Sequence, residues 1–321
     1  MIKEIPQLKN SLELYVESKK RGLHPISYSQ AVGFLNCPYS WKLKKIDKID
    51  KFDQSIHLIF GTAIHETIQN WLHVRFTKGE VEGSLINLGL ELKKNLTNEY
   101  TKLRKEKDFK EFTTAKEMAE IYNDGVAILR ELKANKDKYF PTKSYKLIGC
   151  EVPIIIESDI NPKIAINGFI DVVIFNEETE EYVLYDIKTA KSGWFDNNKK
   201  DFNKIAQLLL YKHYFAKQFN VDVNKISVEF FILKKKLWAG SKYVQSRIQQ
   251  FRPSCGKVNM NKMNILINNF IKYVFDENGN ILTEKVYKKA DKEKNCMWCL
   301  YKGSKYCDKF EYDKNNKFDK K

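Results

Sequence analysis

The apolar and polar positions change rhythm several times along this chain. Strand-like, β-branched runs with period-two alternation are concentrated at Lys146 to Glu157, Ile164 to Phe175, Tyr182 to Ala190 and Lys225 to Lys236, with a further strand expected from Lys242 to Phe251. Helical spacing marks residues 84–107 and 114–135, where Leu85, Leu88, Leu92 and Leu96 and then Met118, Ile121, Leu129 and Leu132 fall on one helical face. The same spacing runs from Asn203 to Phe219 and from Met260 to Phe275. Ser27 or Ser29 is placed to cap a short helix leading to Cys37, and the segment from there to about Lys51 reads as helical and basic. The class is therefore α/β. No internal repeat is visible.

Asn176 to Glu181 is charged and turn-like, so the second and third strands form a hairpin. With its turn centred on Glu178 and Thr179, Phe175 faces Tyr182 and the register carries Asp171 opposite Asp186. Lys188 then shares the face of Asp186, and Ile187 points the other way. Two carboxylates this close repel, and a divalent cation relieves them; oxygen ligands suit Mg²⁺ or Mn²⁺. Such an ion polarises a phosphoryl oxygen and acidifies a bound water, and a lysine beside it orients that water or stabilises charge on phosphorus. The implied reaction is phosphodiester hydrolysis. An isolated D-x-K is ordinarily a solvated strand face, so the following helix matters. Gln207 and Tyr211 are four apart on one of its faces, placed to meet a phosphate or the lysine, although a tyrosine at helical spacing is more often core. Glu151, on the preceding strand, either joins the site or pairs with a lysine.

These residues resemble the PD-(D/E)XK nuclease superfamily, and within it the RecB-like branch that includes the nuclease domains of recombination helicase-nucleases and the CRISPR-adaptation exonucleases. The resemblance implies a restriction-endonuclease-like core, a central mixed β-sheet flanked by helices. It makes Asp171 and Asp186 the metal-binding acids, Lys188 the lysine, and Gln207 with Tyr211 the Q-x-x-x-Y helix. Upstream, Phe60-Gly61-Thr62-Ala63-Ile64-His65-Glu66 is similar to the helix whose histidine is a further metal ligand. A lone helical histidine is usually structural, but in this company His65 is expected as a ligand. Glu66 lies about 100° round the helix and is not expected to share the ion.

Cys296-Met-Trp-Cys299 followed by Cys307 forms C-x₂-C-x₇-C, and Cys37 stands far upstream in Asn36-Cys37-Pro38. Four thiolates suit a structural zinc or an iron–sulfur cluster, and spacing does not choose between them. The resemblance implies a four-iron (4Fe–4S) cluster that ties the termini together. Cys150 and Cys255 have no partner pattern and are expected to be ordinary thiols. With no apolar leader at Met1, no run long enough for a bilayer and no disulfide framework, a cytoplasmic protein with no membrane partner is expected.

Lys and Arg number 56 against 41 Asp and Glu, a formal charge of +15. That favours a polyanionic partner, DNA, although scattered lysines also serve solubility. Trp194, Trp238 and Tyr243 are interleaved with basic residues and can stack on unpaired bases, or simply fill the core. No G-x-x-x-x-G-K-[ST] loop is present, so any motor is a helicase partner. The expected organisation is 1–51, a helical segment with the first cysteine; 52–140, the histidine helix and a helical insertion that mainly packs; 141–255, the nuclease core; 256–307, a helix and the cysteine cluster; and 308–321, a disordered Lys-rich tail. The activity expected is a metal-dependent DNA exonuclease; the alternative is a non-catalytic docking module, or a subunit that works only within a larger assembly.

Overall fold

A computed structural model describes residues 11–49, 55–106, 109, 111–297 and 299–308; the expected Lys-rich tail, apart from Asp308, lies outside them. From the amino-terminal side, α1 (Ser11–Lys20) leads into β1 (His24–Ser27), α2 (Tyr28–Asn36) and α3 (Pro38–Lys45). A helical block follows: α4 (Ile56–Thr77), α5 (Glu80–Leu85), α6 (Leu88–Arg104), α7 (Ala115–Ala134) and α8 (Lys136–Tyr139). Then come β2 (Tyr145–Glu157), β3 (Ile164–Asn176), β4 (Glu181–Ala190), α9 (Asp196–Lys199), α10 (Phe202–Phe219), β5 (Ile226–Lys234), β6 (Ile248–Phe251) and α11 (Lys257–Val274).

The strands form one mixed sheet, and β3 is its hub. Along one edge β3 pairs antiparallel with β2 over nearly its whole length. The other edge is shared: β1 runs parallel to Ile164–Asn167, and β4 runs antiparallel to Val172–Asn176. Among the described residues, Gly168 to Asp171 therefore has no strand partner on that side. The hairpin register is the expected one, with Phe175 opposite Tyr182, and the ladder stops at Val172–Tyr185. Beyond Tyr185, β4 leaves β3 and continues parallel to β5. The Asp171–Asp186 pair thus sits where two strands part.

Helices cover both faces. Against one, α2, α10 and α11 pack with Ile166, Ile170, Leu184, Phe230 and Ile232. Against the other, α4, α6 and α7 pack with Val172, Ile174, Ile187 and Phe231. Ile170 and Val172 belong to opposite faces although two residues apart, as do Val152 and Cys150. Strict period-two alternation is reset at Glu151 and Asp171, which lie between these pairs. Glu151 carries a positive φ of 51°, the left-handed region that inverts the side-chain direction of a strand.

Local chemistry explains most element ends. Ser27 accepts from Gln30 N–H and starts α2, as the serine pattern suggested. Thr114 and Glu117 form a reciprocal capping box at α7, and left-handed Asn220 closes α10. Three expectations need correction. The amino-terminal segment contributes β1 to the sheet, a strand too short to show a period. The helix expected to begin at residue 84 begins at Leu88, because Asn87 caps it through Gly89 N–H and Leu90 N–H. The strand expected from Lys242 is confined to Ile248–Phe251, since residues before it form a loop braced by its own side chains. Of the two readings open for Trp194, core packing is the one seen: it lies 4.7 Å from Phe230, centroid to centroid.

The helical block is held by close approach at Gly125. A Cβ there would collide with Leu92 Cδ2 and stand 2.9 Å from Phe60 Cε2, so this glycine lets α7 meet α4 and α6. Gly125→Val is expected to lower stability by about 1–3 kcal/mol through overpacking, read as a fall in the urea midpoint; an unchanged midpoint would contradict this packing.

Candidate active site

The site is assembled from α4, β2, β3, β4 and α10 at the point where the strands part. Ser55 caps α4, whose Ile64, Ile68, Trp71 and Leu72 are buried against the sheet, leaving His65 and Gln69 one turn apart on the flank towards β2 and β3. His65 Nδ1 lies 3.7 Å from Asp171 Oδ2. That same oxygen accepts a 2.6 Å hydrogen bond from Ile187 N–H, which ties β4 to β3 just past the end of their ladder. Lys188 Nζ contacts Asp186 at 2.9 Å to Oδ1 and 2.8 Å to Oδ2. Gln69 Nε2 donates to Glu151 Oε1 at 2.6 Å and to the Asp171 carbonyl at 3.0 Å.

Gln69 was not legible as a site residue, although its i+4 spacing from His65 was available as a signal. Glu151 stands beside Asp171 and is held by Gln69. Gln207 and Tyr211 bond each other, Nε2 to Oη at 3.2 Å. Tyr211 lies against Gly168 in the unpaired stretch, where a Cβ would come within 2.9 Å of its ring. Gly168 is thus the small residue that admits the tyrosine to the gap. A cleft of about 820 Å³ opens over this point, lined by α4 from His57 to His73, by Glu151, by Ile187 to Thr189, and by Glu99 and Lys102 of α6. The helical block therefore forms one wall of the cleft as well as packing. Glu66 lines the same cleft.

Burial, and then the neighbouring Asp186, push the Asp171 carboxyl up, against the pull of Lys188 and of Ile187 N–H. Glu151 is raised by burial and by Asp171. Burial works against the Lys188 charge, yet Asp186 and Asp171 outweigh it and hold the amine above its ordinary value. His65 is lowered to about 4, by burial first and Lys188 second, so near neutral pH its imidazole is uncharged with a lone pair to offer. Tyr211 is raised by burial and by Asp186, and stays a protonated donor.

These properties fit a hard divalent cation. Asp186 Oδ2 is buried without a well-formed hydrogen bond, and two neighbouring carboxyls are disfavoured as anions. Among the described residues no group of three His, Cys, Asp or Glu side chains stands at metal-holding spacing. Here Lys188 neutralises Asp186, and Ile187 N–H satisfies Asp171.

The four cysteines of the second pattern line one small pocket, which Tyr39, Ser40, Lys289 and Lys302 also border. All are free thiols. Cys37 caps α3, accepting from Ser40 N–H, with Pro38 in the first turn. Cys296 is raised by burial and then by Cys37, Cys299 and Cys307, which is the mutual repulsion a cation would relieve. The segments around it are already joined, Tyr39 N–H to Lys288 O at 3.0 Å and Asn295 Nδ2 to Asn36 O at 2.9 Å. Cys150 and Cys255 lie apart, and burial raises both thiols, Cys150 to about 12.

Comparison with known proteins agrees with this architecture. The family profile of the PD-(D/E)XK nuclease superfamily matches residues 25–307. The chain belongs to the PD-(D/E)XK nuclease superfamily. A solved structure from Eubacterium rectale, printed as that of a "Putative exonuclease", is similar at 10% identity and a TM-score of 0.47, covering 91% of this chain and 99% of that one. No curated protein matches. No described helix is long and apolar enough to cross a membrane.

A carboxyl raised by folding keeps its proton where the unfolded chain has released it, so stability falls as pH rises from about 4.3, the unfolded glutamate value, through the raised one. Glu151→Gln removes that cost and keeps an acceptor for Gln69. In EDTA the variant is expected to show a higher urea midpoint than the parent at about pH 8, a difference that vanishes near about pH 4. A variant less stable at the higher pH would show that Glu151 is held as a favourable anion.

Proposed function

We propose that the protein is a RecB-like, metal-dependent DNA exonuclease that hydrolyses phosphodiester bonds at DNA ends or in single strands during recombination, repair or phage DNA metabolism. The observation that carries this reading is the meeting of Asp171, Asp186 and Lys188 with His65 at the parting of β3 and β4, at the foot of an open cleft. In this reading Asp171, Asp186 and His65 hold Mg²⁺ or Mn²⁺, with Glu151 beside them. The ion, when bound, polarises the phosphoryl oxygen and acidifies a water. Lys188, kept charged by its two carboxylates, orients the attacking water and stabilises charge developing on phosphorus. Gln207 and Tyr211, protonated and bonded to each other, align the phosphate. The net charge of +15 suits a polyanionic substrate.

The complete set of acids and lysine favours catalysis over a docking role. A helicase or recombination protein is the partner such an enzyme would need for unwinding. The free thiols suit a cytoplasmic setting.

Digestion of end-labelled single-stranded and duplex DNA in Mg²⁺ or Mn²⁺ tests the proposal. Shortening is expected with the parent and not with EDTA, Asp186→Ala or Lys188→Ala, with Lys188→Ala folding and binding DNA as the parent does. A fully active Lys188→Ala protein would sink the assignment, and binding without cleavage by the parent would move it to the docking module.

The cysteine pocket is assigned in the same reading to a 4Fe–4S cluster, with structural zinc as the alternative. Four thiols round one cavity fit either ion by donor chemistry. Anaerobically purified protein is expected to be brown and to lose its colour on Cys299→Ala. Colourless, iron-free protein with one tightly bound zinc would assign the site to zinc.

A further inference from the structure

The loop between β5 and β6, residues 235–247, rises from the rim of the cleft. The strand that enters it pairs Lys234 with Ala190, two residues past Lys188 and so roughly 7 Å along the strand. Lys235 N–H donates to Ala190 O at 2.9 Å, and Lys236 N–H to Lys191 O at 2.7 Å. Lys235 Nζ reaches His57 Nδ1 at 3.0 Å, and His57 lines the cleft. The loop is anchored to the wall of the site.

It is also braced within itself. Trp238 N–H donates to Gln245 Oε1 at 3.1 Å, Gln245 Nε2 returns to Trp238 O at 2.7 Å, and Ser241 Oγ donates to Tyr243 O at 3.0 Å. Yet its large side chains face water: Trp238 is 70% exposed and Tyr243 86%. Large rings held out on a loop braced by its own hydrogen bonds gain little from the fold itself, and each presents a flat apolar face to a ligand. Lys235, Lys236 and Lys242 belong to the same loop and Lys191 is bonded to it through Lys236 N–H; Lys235 turns to His57 and Lys236 is paired with Asp124. Rings that stack on bases, interleaved with amines that meet phosphates, are complementary to an unpaired polynucleotide; a duplex keeps its base faces occupied.

Resting on the nuclease reading above, we infer that Trp238 and Tyr243 form a stacking platform that grips the bases of an unpaired nucleic-acid strand at the cleft rim, so that the protein takes hold of single strands in preference to paired ends. Both residues lie apart from the acids and Lys188, and both are exposed, so replacing them is not expected to disturb the fold or the reacting groups.

The test measures binding of full-length protein to labelled oligothymidylate and to a blunt duplex, in EDTA and at fixed salt. Trp238→Ala and Tyr243→Ala are each expected to weaken oligothymidylate binding roughly tenfold or more, while duplex binding changes less than about twofold. Trp238→Phe should recover most of the loss. Photocrosslinking of a bromouracil-substituted strand should label the peptide carrying residues 238–243. Unchanged oligothymidylate binding by both alanine variants, equal weakening toward both DNAs, or no oligothymidylate binding by the parent overturns the platform. Any of these alongside Lys188-dependent cleavage leaves the nuclease assignment standing. Trp238-dependent binding by a parent that cleaves nothing in either metal would remove the nuclease assignment and leave the platform.

Discussion

The hydrogen bond from Ile187 N–H to the Asp171 carboxylate is the contact on which the site depends. It replaces a backbone rung at the place where β4 leaves β3 and continues along β5 alone, so a side chain holds the two strands together as they separate. Without it, Asp186 and Lys188 would move with β4 while Asp171 stayed with β3. The separation also makes the gap that Tyr211 enters over Gly168. One structural event thus brings together the acids, the lysine and the Q-x-x-x-Y helix.

Burying these groups sets their chemistry. Asp171 and Glu151 are poor anions in their surroundings, His65 is a poor cation, and Lys188 is an unusually firm one. The imbalance is directional: a cation in this place would find disfavoured carboxyls and an available imidazole, and would compete with Lys188 for Asp186. Gln69 keeps Glu151 and the Asp171 backbone in one arrangement from the helix side.

Much of this was legible in the chain because hairpin arithmetic is local. A charged turn and two β-rich runs are enough to pair Phe175 with Tyr182, and the rest of the register follows. The longer helices α6, α7, α10 and α11 were legible from spacing. What could not be read depends on tertiary context. The reset of alternation at Glu151 rests on a left-handed backbone angle in a residue type that rarely adopts one. β1 is four residues long and finds its partner 140 positions away. Gln69 looks like any polar residue on a helix flank until a carboxylate is set opposite it. The exposure of Trp238 against the packing of Trp194 is likewise invisible in composition.

The contacts at the cysteine pocket have a consequence for how the molecule is strung. Asn295 reaches Asn36 across 259 positions, and β1 begins only a few residues before that segment. Closing so long a loop costs only slightly more entropy than closing one half its length, and Phe34 and Trp41 packed on Phe270 and Tyr287 carry that cost together with the hydrogen bonds. A crosslink at Cys37 would add a covalent clasp to that packing. The far end of the chain is in this way seated on the helices that follow β1, the strand paired with β3 just before Gly168.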